Sequence, residues 1–317
     1  MDLVFCGTPQ FSVPTLDKLV EAGFRLRLVL TQPDRPSGRS LGLAPQPVKQ
    51  RASELSLPLL QPDKIKNNLE LRAALESIQP DAIVVVGYGR IIPPWMIAIP
   101  RFGNLNLHAS LLPKHRGAAP VQWAIASGET VTGVTTMRID PGLDTGDILL
   151  QKEVPIAPED TAVTLAPRLA ELGAALMVET LHGLLAGSIQ PVPQDHSRAT
   201  LAPLLKKEDG RIDFQRPAVE IGNRLRGFQP WPGAWTGFRG KHLQVHAARP
   251  LDRLPNVRPG ELAVQGERLL AGCGQDTGLE LLEVQVEGKK RMSARDFLHG
   301  YRPQPGEVLA APPAPAT

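Results

Sequence analysis

The sequence predicts an α/β N-terminal domain built on a Rossmann-like parallel sheet, followed by a C-terminal OB-fold-like β-barrel. Three observations carry this expectation. Nearly pure apolar strands, LVFC (3–6) and AIVVV (82–86), alternate with amphipathic helical stretches, the pattern of a parallel sheet covered on both faces. Short strands separated by Gly- and Pro-rich turns fill the C-terminal third, as in a small β-barrel. At 317 residues the chain is also longer than one hydrophobic core ordinarily serves.

Taken in order, LVFC runs into GTPQF, a strand-to-helix turn. In FSVPTLDKLVEAG the apolar positions Val13, Leu16, Leu19 and Val20 keep helical spacing and Gly23 makes a stop. RLRLVLTQ is the second strand. VKQRASELS and NNLELRAALESIQ read as helices, with PLLQ as a short strand between them, and AIVVVGYG is the third main strand. Then NLNLH (104–108) places Asn104, Asn106 and His108 on one face of a strand and Leu105 and Leu107 on the other. From about 187 to 210 periodicity is lost, in GSIQPVPQDHSRATLAPLLKKEDG. The expected boundaries are a first domain over 1–188, a linker over 189–207, a barrel over 208–305 and a disordered Pro/Ala-rich tail over 306–317. The barrel opens with one helix, RPAVEIGNRLRGF, and continues through AWTGF, HLQVHAARP, GELAVQ, RLLAGCG and LELLEVQVEG.

Composition excludes several classes. Hydrophobic residues at 42% and charged residues at 21% are ordinary for a globular protein. No apolar run approaches the ~20 residues of a membrane span. MDLVFCG lacks a signal-peptide pattern, so a cytoplasmic location is expected. Cys6 and Cys273 form no CxxC pair and the seven histidines are scattered, so neither a structural zinc nor any other metal is expected. Neither GxxxxGK[ST] nor GxGxxG is present, which argues against a nucleotide site. The net charge of +3 is uneven: residues 1–205 carry 18 Lys+Arg against 19 Asp+Glu, and residues 206–317 carry 17 against 13. The C-terminal part therefore has a mild basic bias.

Three stretches suit chemistry. Ligands of parallel α/β sheets bind beyond the carboxyl ends of strands, and the polar face of NLNLH points Asn106 and His108 toward that crevice. Asn104, one repeat deeper, is expected to make a structural hydrogen bond. MRIDPGLDTGDILL (137–150) carries Asp140, Asp144 and Asp147 among Pro141, Gly142 and Gly146. Such a loop can hold a carboxylate in a fixed place, although Asp in turns often only bonds local N–H groups. One Asn, one His and one Asp would equip acyl transfer to an amine, where an oxyanion needs donors and the amine must lose a proton. Ser110 lacks the GxSxG elbow of a serine nucleophile. The third stretch, TQPDRPSGRSLGLAPQPVK (31–49), reads as a long exposed loop whose Arg35 and Arg39 suit phosphate contact, with simple solvation an equal alternative.

The segments FCGTPQF, TQPDRPSGR, NLHASLLPKHRGAAPVQWAI, GLDTGDIL, RIDF, GFQPWPGAW and EGKKRMSARDFL, in this order, resemble the methionyl-tRNA formyltransferase family from residue 2 to residue 300. The Asn-x-His…SLLP and GLDTGD elements are shared with the wider group that uses 10-formyltetrahydrofolate, while GFQPWPGAW and EGKKRMSARDFL resemble the tRNA enzymes specifically. The resemblance implies formyl transfer from 10-formyltetrahydrofolate to the α-amine of initiator methionyl-tRNA, by direct amine attack with no covalent enzyme intermediate. It implies Asn106, His108 and Asp144 as catalytic residues, Asn106 and His108 meeting the oxyanion and Asp144 orienting His108 and shuttling protons. Ser110, Leu111, Leu112 and Pro113 would match the folate-binding segment. Arg90, Ile91 and Ile92 would border the pterin, with backbone around Asp140 to Gly142 facing it. Arg39 and Arg35 would meet the tRNA acceptor end, and Lys206 and Lys207 the body of the tRNA. A monomer without membrane attachment is expected. One departure stands out: where the family continues after Gly-Arg with Gly and lysines, this chain has Ser40, Leu41 and Gly42, so its electrostatic hold on phosphate is expected to be weaker. Two rivals remain open: a formyltransferase acting on a small amine such as an amino-sugar nucleotide, and a non-catalytic RNA-binding protein.

Overall fold

The structure is a computed structural model that describes residues 1–37, 42–304 and 306–310. The chain packs as two compact units. The first comprises 1–120, 131–155 and 165–203, and the second 121–130, 156–164 and 204 onward.

In chain order the first part runs β1 (Asp2–Gly7), α1 (Val13–Glu21), β2 (Arg25–Leu30), β3 (Arg35–Ser37), β4 (Gly42–Ala44), α2 (Pro47–Glu54), β5 (Leu59–Leu60) and α3 (Leu69–Ile78). It continues β6 (Ala82–Val86), α4 (Pro94–Ile97), β7 (Asn104–His108), α5 (Pro120–Ala126), β8 (Val131–Arg138), β9 (Ile148–Pro155) and α6 (Ala162–Ala186). Seven strands form one sheet in the order β5-β2-β1-β6-β7-β8-β9. β5 to β7 are parallel, as expected from strands alternating with helices. The core is parallel as expected, and only at one edge does the sheet become mixed: β8 runs antiparallel to β7, and β9 antiparallel to β8. α3 starts as its sequence suggests, with the Asn68 side chain accepting from the Leu71 amide at 2.9 Å.

The two faces of β7 have different partners. Leu107 packs against α6 so closely that a Cβ on Gly173 would lie 2.6 Å from Leu107 Cδ2, a spacing only glycine allows. On the other face Asn104 donates to the carbonyls of Met96 and Ile97 at 3.1 and 3.2 Å, the structural role expected of it. α6 has the length and composition of a membrane span, though no unbroken apolar run, and half of that stretch is buried in the fold. That is the habit of a core helix.

The stretch 189–207 does not behave as a free linker up to Pro203. Val192 and Ile148 exchange two backbone bonds of 2.8 Å, and Arg116 bridges to Leu201. Isolated bridges of this kind impose no periodicity on side chains, so the stretch reads as irregular.

The second unit contains α7 (Ala218–Gly227), β10 (Ala234–Phe238), β11 (Lys241–Leu251), β12 (Leu262–Gln265), β13 (Arg268–Gly272), β14 (Gly278–Val286), β15 (Met292–Ser293) and α8 (Ala294–Tyr301). The sheet is antiparallel, in the order β10-β11-β14-β13-β12 with β15 against β14. α7 buries Ile221 and Leu225 in its core, and Phe297 of α8 meets Phe238 edge-on at 4.9 Å. The expected disordered tail, 306–317, is corrected for 306–310. The Leu262 amide donates to Glu307 O at 2.7 Å, Leu309 N to Gly260 O at 2.7 Å and Ala310 N to Gly237 O at 3.1 Å. The segment thus links the two edge strands, β12 and β10, and covers backbone groups that an open edge would expose. Pro/Ala composition hid this, because the anchoring residue is Leu309, only 4% exposed within the core. Residues 311–317 lie outside the described residues.

Replacing Leu309 with Ala is expected to cost about 2–4 kcal/mol of stability, read as a fall in the urea unfolding midpoint. An unchanged midpoint would mean that the segment is not part of the folded unit.

Candidate active site

β7 ends in His108, which is 5% exposed. Its Nε2 lies 2.9 Å from the His115 carbonyl oxygen. A carbonyl can only accept, so Nε2 is the donor and the neutral ring carries its lone pair on Nδ1. Nδ1 faces Asp144 Oδ2 at 3.6 Å, beyond hydrogen-bond length. Asn106 shares the face of His108 and is partly buried, and its side-chain amide has no hydrogen-bond partner among the described residues. Across the ladder from His108 stands Thr135. Its hydroxyl donates to Ser110 O at 2.7 Å and accepts from the Leu112 amide at 3.2 Å, pinning the loop that follows β7.

The aspartate loop reaches this place by an unexpected route. β8 is antiparallel to β7 and ends at Arg138, opposite Leu105, at the start of β7. The loop must therefore run back along β7 to bring Asp144 to His108. Asp140 shapes its tip, accepting from the Gly142 amide at 3.0 Å and from the Thr145 hydroxyl at 2.7 Å, which is the local turn role foreseen for some of these aspartates. Asp144 has φ +50°, a left-handed conformation unusual for a residue with a side chain. Its Oδ2 accepts from the Gly117 amide at 2.8 Å.

The sequence reading missed the residues that hold these two loops together. Gln194, 6% exposed, donates from Nε2 to the carbonyls of Asp144 and Gly146 at 2.9 and 2.7 Å. Its Oε1 accepts from buried Arg116, at 3.1 Å from Nε and 2.6 Å from Nη2. Arg116 Nη2 also donates to His196 Nδ1 at 3.0 Å. The Thr200 hydroxyl accepts from the His115 amide at 2.9 Å, and Ala202 N donates to Arg116 O at 2.7 Å. The available signal was chemical, not periodic: PQDHSRAT gathers Gln, Asp, His and Thr where a plain spacer needs none.

The other candidates divide. Ser110 is fully buried and its hydroxyl donates to Lys114 O at 2.6 Å. Leu112 is 3% exposed, and Leu111 and Pro113 are half-buried. Beyond β6, Ile91 is 90% exposed, Ile92 is buried, and Arg90 Nε is buried without a partner among the described residues. Gly142 is exposed at the aspartate-loop tip. Nearby in that strand-end loop, burial pushes the Tyr88 phenol well above its ordinary range. Arg35 begins the β3–β4 hairpin, whereas Arg39, with Ser40 and Leu41, lies outside the described residues. The base of that loop is tied down by Asp34, whose carboxyl is held below its usual range by bonds first from Lys49 and then from Gln61. Lys206 and Lys207 are exposed in the second unit. There Lys207 O accepts from Trp235 Nε1 at 3.0 Å, and Trp235 stacks on His242. Burial, then the charge of Lys207, holds that imidazole below its ordinary value.

The arrangement sets an amide donor and an imidazole Nδ1, which donates when protonated, on one strand face with a carboxylate opposite. The Ser110 hydroxyl donates to a backbone carbonyl and has no base beside it among the described residues. Donors plus a proton acceptor suit attack by an external amine on a carbonyl.

Comparison with known proteins agrees in kind. Residues 1–181 match the family described as Formyl transferase, and residues 204–302 match Formyl transferase, C-terminal domain. A methionyl-tRNA formyltransferase of Koribacter versatilis is 66% identical over 309 residues, covering 98% of each chain. That of Acidobacterium capsulatum is 60% identical over 311 residues, 98% of this chain and all of the other. The solved N-formyltransferase of Helicobacter canadensis, in complex with folinic acid and dTDP-3-aminofucose, superposes with a TM-score of 0.66 at 18% identity, over 88% of this chain and 98% of that one. At that identity it speaks for the fold alone.

A Cβ on Gly117, at φ +120°, would lie 2.7 Å from Ala202 O. Gly117→Ala is therefore expected to lose about 2–3 kcal/mol through strain and clash, measured by urea unfolding. A loss under about 0.5 kcal/mol would show that the two segments are not locked as described.

Proposed function

The chain belongs to the formyl transferase family, and from that premise we propose that it transfers the formyl group of 10-formyltetrahydrofolate to the α-amine of initiator methionyl-tRNA, in translation initiation. One observation carries the chemistry. His108 spends Nε2 on a backbone carbonyl and turns Nδ1 to Asp144, beside an Asn106 amide with no described partner. The acceptor is supported by the relatives named above and by the matched C-terminal domain with its basic bias. The proposed substrate makes the cytoplasm the site of action, with a single chain as the working unit.

The amine attacks as the free base, directly at the formyl carbon. The C–N bond to the amine forms and the bond to N10 of tetrahydrofolate breaks. Negative charge gathers on the formyl oxygen and is met by the Asn106 amide and by the Nδ1–H that His108 carries once the lone pair there takes up a proton. Asp144 keeps Nδ1 oriented and, through water, receives the proton lost by the amine and returns it to the departing N10. For the folate, exposed Ile91 and the unpartnered Arg90 Nε border the strand-end loop. Ile91 presents apolar surface to a flat heteroaromatic ring, and the buried Arg90 Nε beside it in the chain has its donor unsatisfied among the described residues. The SLLP segment contributes by loop shape, because the Ser110 hydroxyl and the Leu112 amide are already bonded. On the tRNA side, Arg39 and Arg35 are proposed for the acceptor end, and Lys206 and Lys207 for the body.

Formyl transfer to charged initiator tRNA, to charged elongator tRNA and to free amines, measured side by side, tests this reading. Preference for the initiator is expected, and transfer to free amines alone would overturn the tRNA assignment in favour of a small-amine enzyme. Asp144→Asn should lower kcat by about 10²–10⁴-fold with the fold intact, and near-normal turnover would remove Asp144 from the mechanism. Arg39→Ala should raise KM for tRNA by about tenfold or more while leaving KM for the folate within about twofold. Equal loss for both substrates would refute a tRNA-specific role.

A further inference from the structure

We propose that Gln194 is a positioning residue for the transfer reaction: it sets Asp144 opposite His108, and Arg116 sets Gln194. The kinetic consequence rests on the formyl-transfer reading; the geometry does not. Gln194 is buried, and its amide makes four bonds. The two N–H groups go to Asp144 O and Gly146 O at 2.9 and 2.7 Å, and Oε1 takes Arg116 Nε and Nη2 at 3.1 and 2.6 Å. Carbonyls only accept and a guanidinium only donates, so the amide can lie in one orientation only. Arg116 is itself 7% exposed, and its side-chain partners are the neutral Gln194 Oε1 and His196 Nδ1.

The aspartate loop needs such a hold. Its ends are fixed by the Arg138 N to Asp147 O bond at 2.9 Å, and its tip is braced internally by Asp140 and Thr145. Neither fixes where Asp144 lies along β7. Asp144 has φ +50°, a conformation that persists only where surroundings over-determine it. Two bonds from outside the loop do so: Gln194 on its carbonyl, and the Gly117 amide on its carboxylate. Gly117 sits against Ala202 O, and Ala202 N bonds Arg116 O at 2.7 Å. Residues 194–202 therefore brace both contacts of Asp144, and the gap of 3.6 Å to His108 is set from there.

Gln194→Glu separates positioning from folding. The isosteric carboxylate strengthens the pairing with Arg116 but has no hydrogen for Asp144 O and Gly146 O, and it repels both. Wild type, Gln194→Glu, Asp144→Asn and the double variant are compared by steady-state formyl transfer. In the substrate-free protein, the Gly117 amide proton resonance is compared by NMR. Gln194→Glu should lower kcat by about 10- to 100-fold, with KM for both substrates within about threefold and the unfolding midpoint unchanged or raised. It should add nothing in the Asp144→Asn background. The Gly117 resonance should move upfield as its bond to the carboxylate loosens. A kcat within about twofold of wild type, an additive loss in the double variant, or an unmoved Gly117 resonance would each overturn the proposal. If wild type itself transfers no formyl group, the formyl-transfer reading fails and the Gly117 resonance alone decides the positioning role.

Discussion

Leu107 and the backbone of α6 meet at Gly173 with no room for another methyl group. That contact orients β7: one face is committed to apolar packing, and whatever alternates with the leucines must face the other way. Asn104, Asn106 and His108 occupy that other face. The deepest of them closes buried backbone carbonyls of α4, and the outer two are left at the opening. Burial of two leucines thus fixes which way an asparagine and a histidine point, and loss of that packing would turn the polar face with it.

Polar groups placed inside a fold carry a desolvation cost that only partners offset. Around His108 these partners are mostly backbone. His115 O takes Nε2, the Gly117 amide takes the Asp144 carboxylate, and the carbonyls beside Asp144 take Gln194. Backbone groups have fixed positions once their loops are fixed, so the site is preorganised to the extent that residues 110–117, 139–147 and 194–202 are locked together. Thr135 performs the same service from within the sheet.

Sequence periodicity was informative wherever an element has two unlike faces. In the first unit β1, β2, β5, β6 and β7 were legible, with α1, α2, α3 and the polar face of β7, as were α7 and the five main strands of the second unit, whereas β3, β4, β8 and β9 went unread. α6 went unread because its apolar residues surround much of the helix and leave a weak stripe. The lock between residues 194–202 and the two site loops went unread because single backbone bridges and one buried amide leave no repeat in a sequence. The ordered segment 306–310 went unread because one leucine anchors it within a Pro/Ala-rich context.

The sequence by itself determined which residues are the candidates for the chemistry. Side-chain alternation is a local property of a strand, and Asn, His and Asp declare their capacities wherever they stand. Only the tertiary structure decided how those residues meet. The reversal of β8 sends the aspartate loop back along β7, the His115 carbonyl selects which imidazole nitrogen faces Asp144, and Gln194 holds that aspartate in place. Each depends on a loop path or a contact that follows from packing, and packing leaves no mark on the neighbours of a residue in sequence.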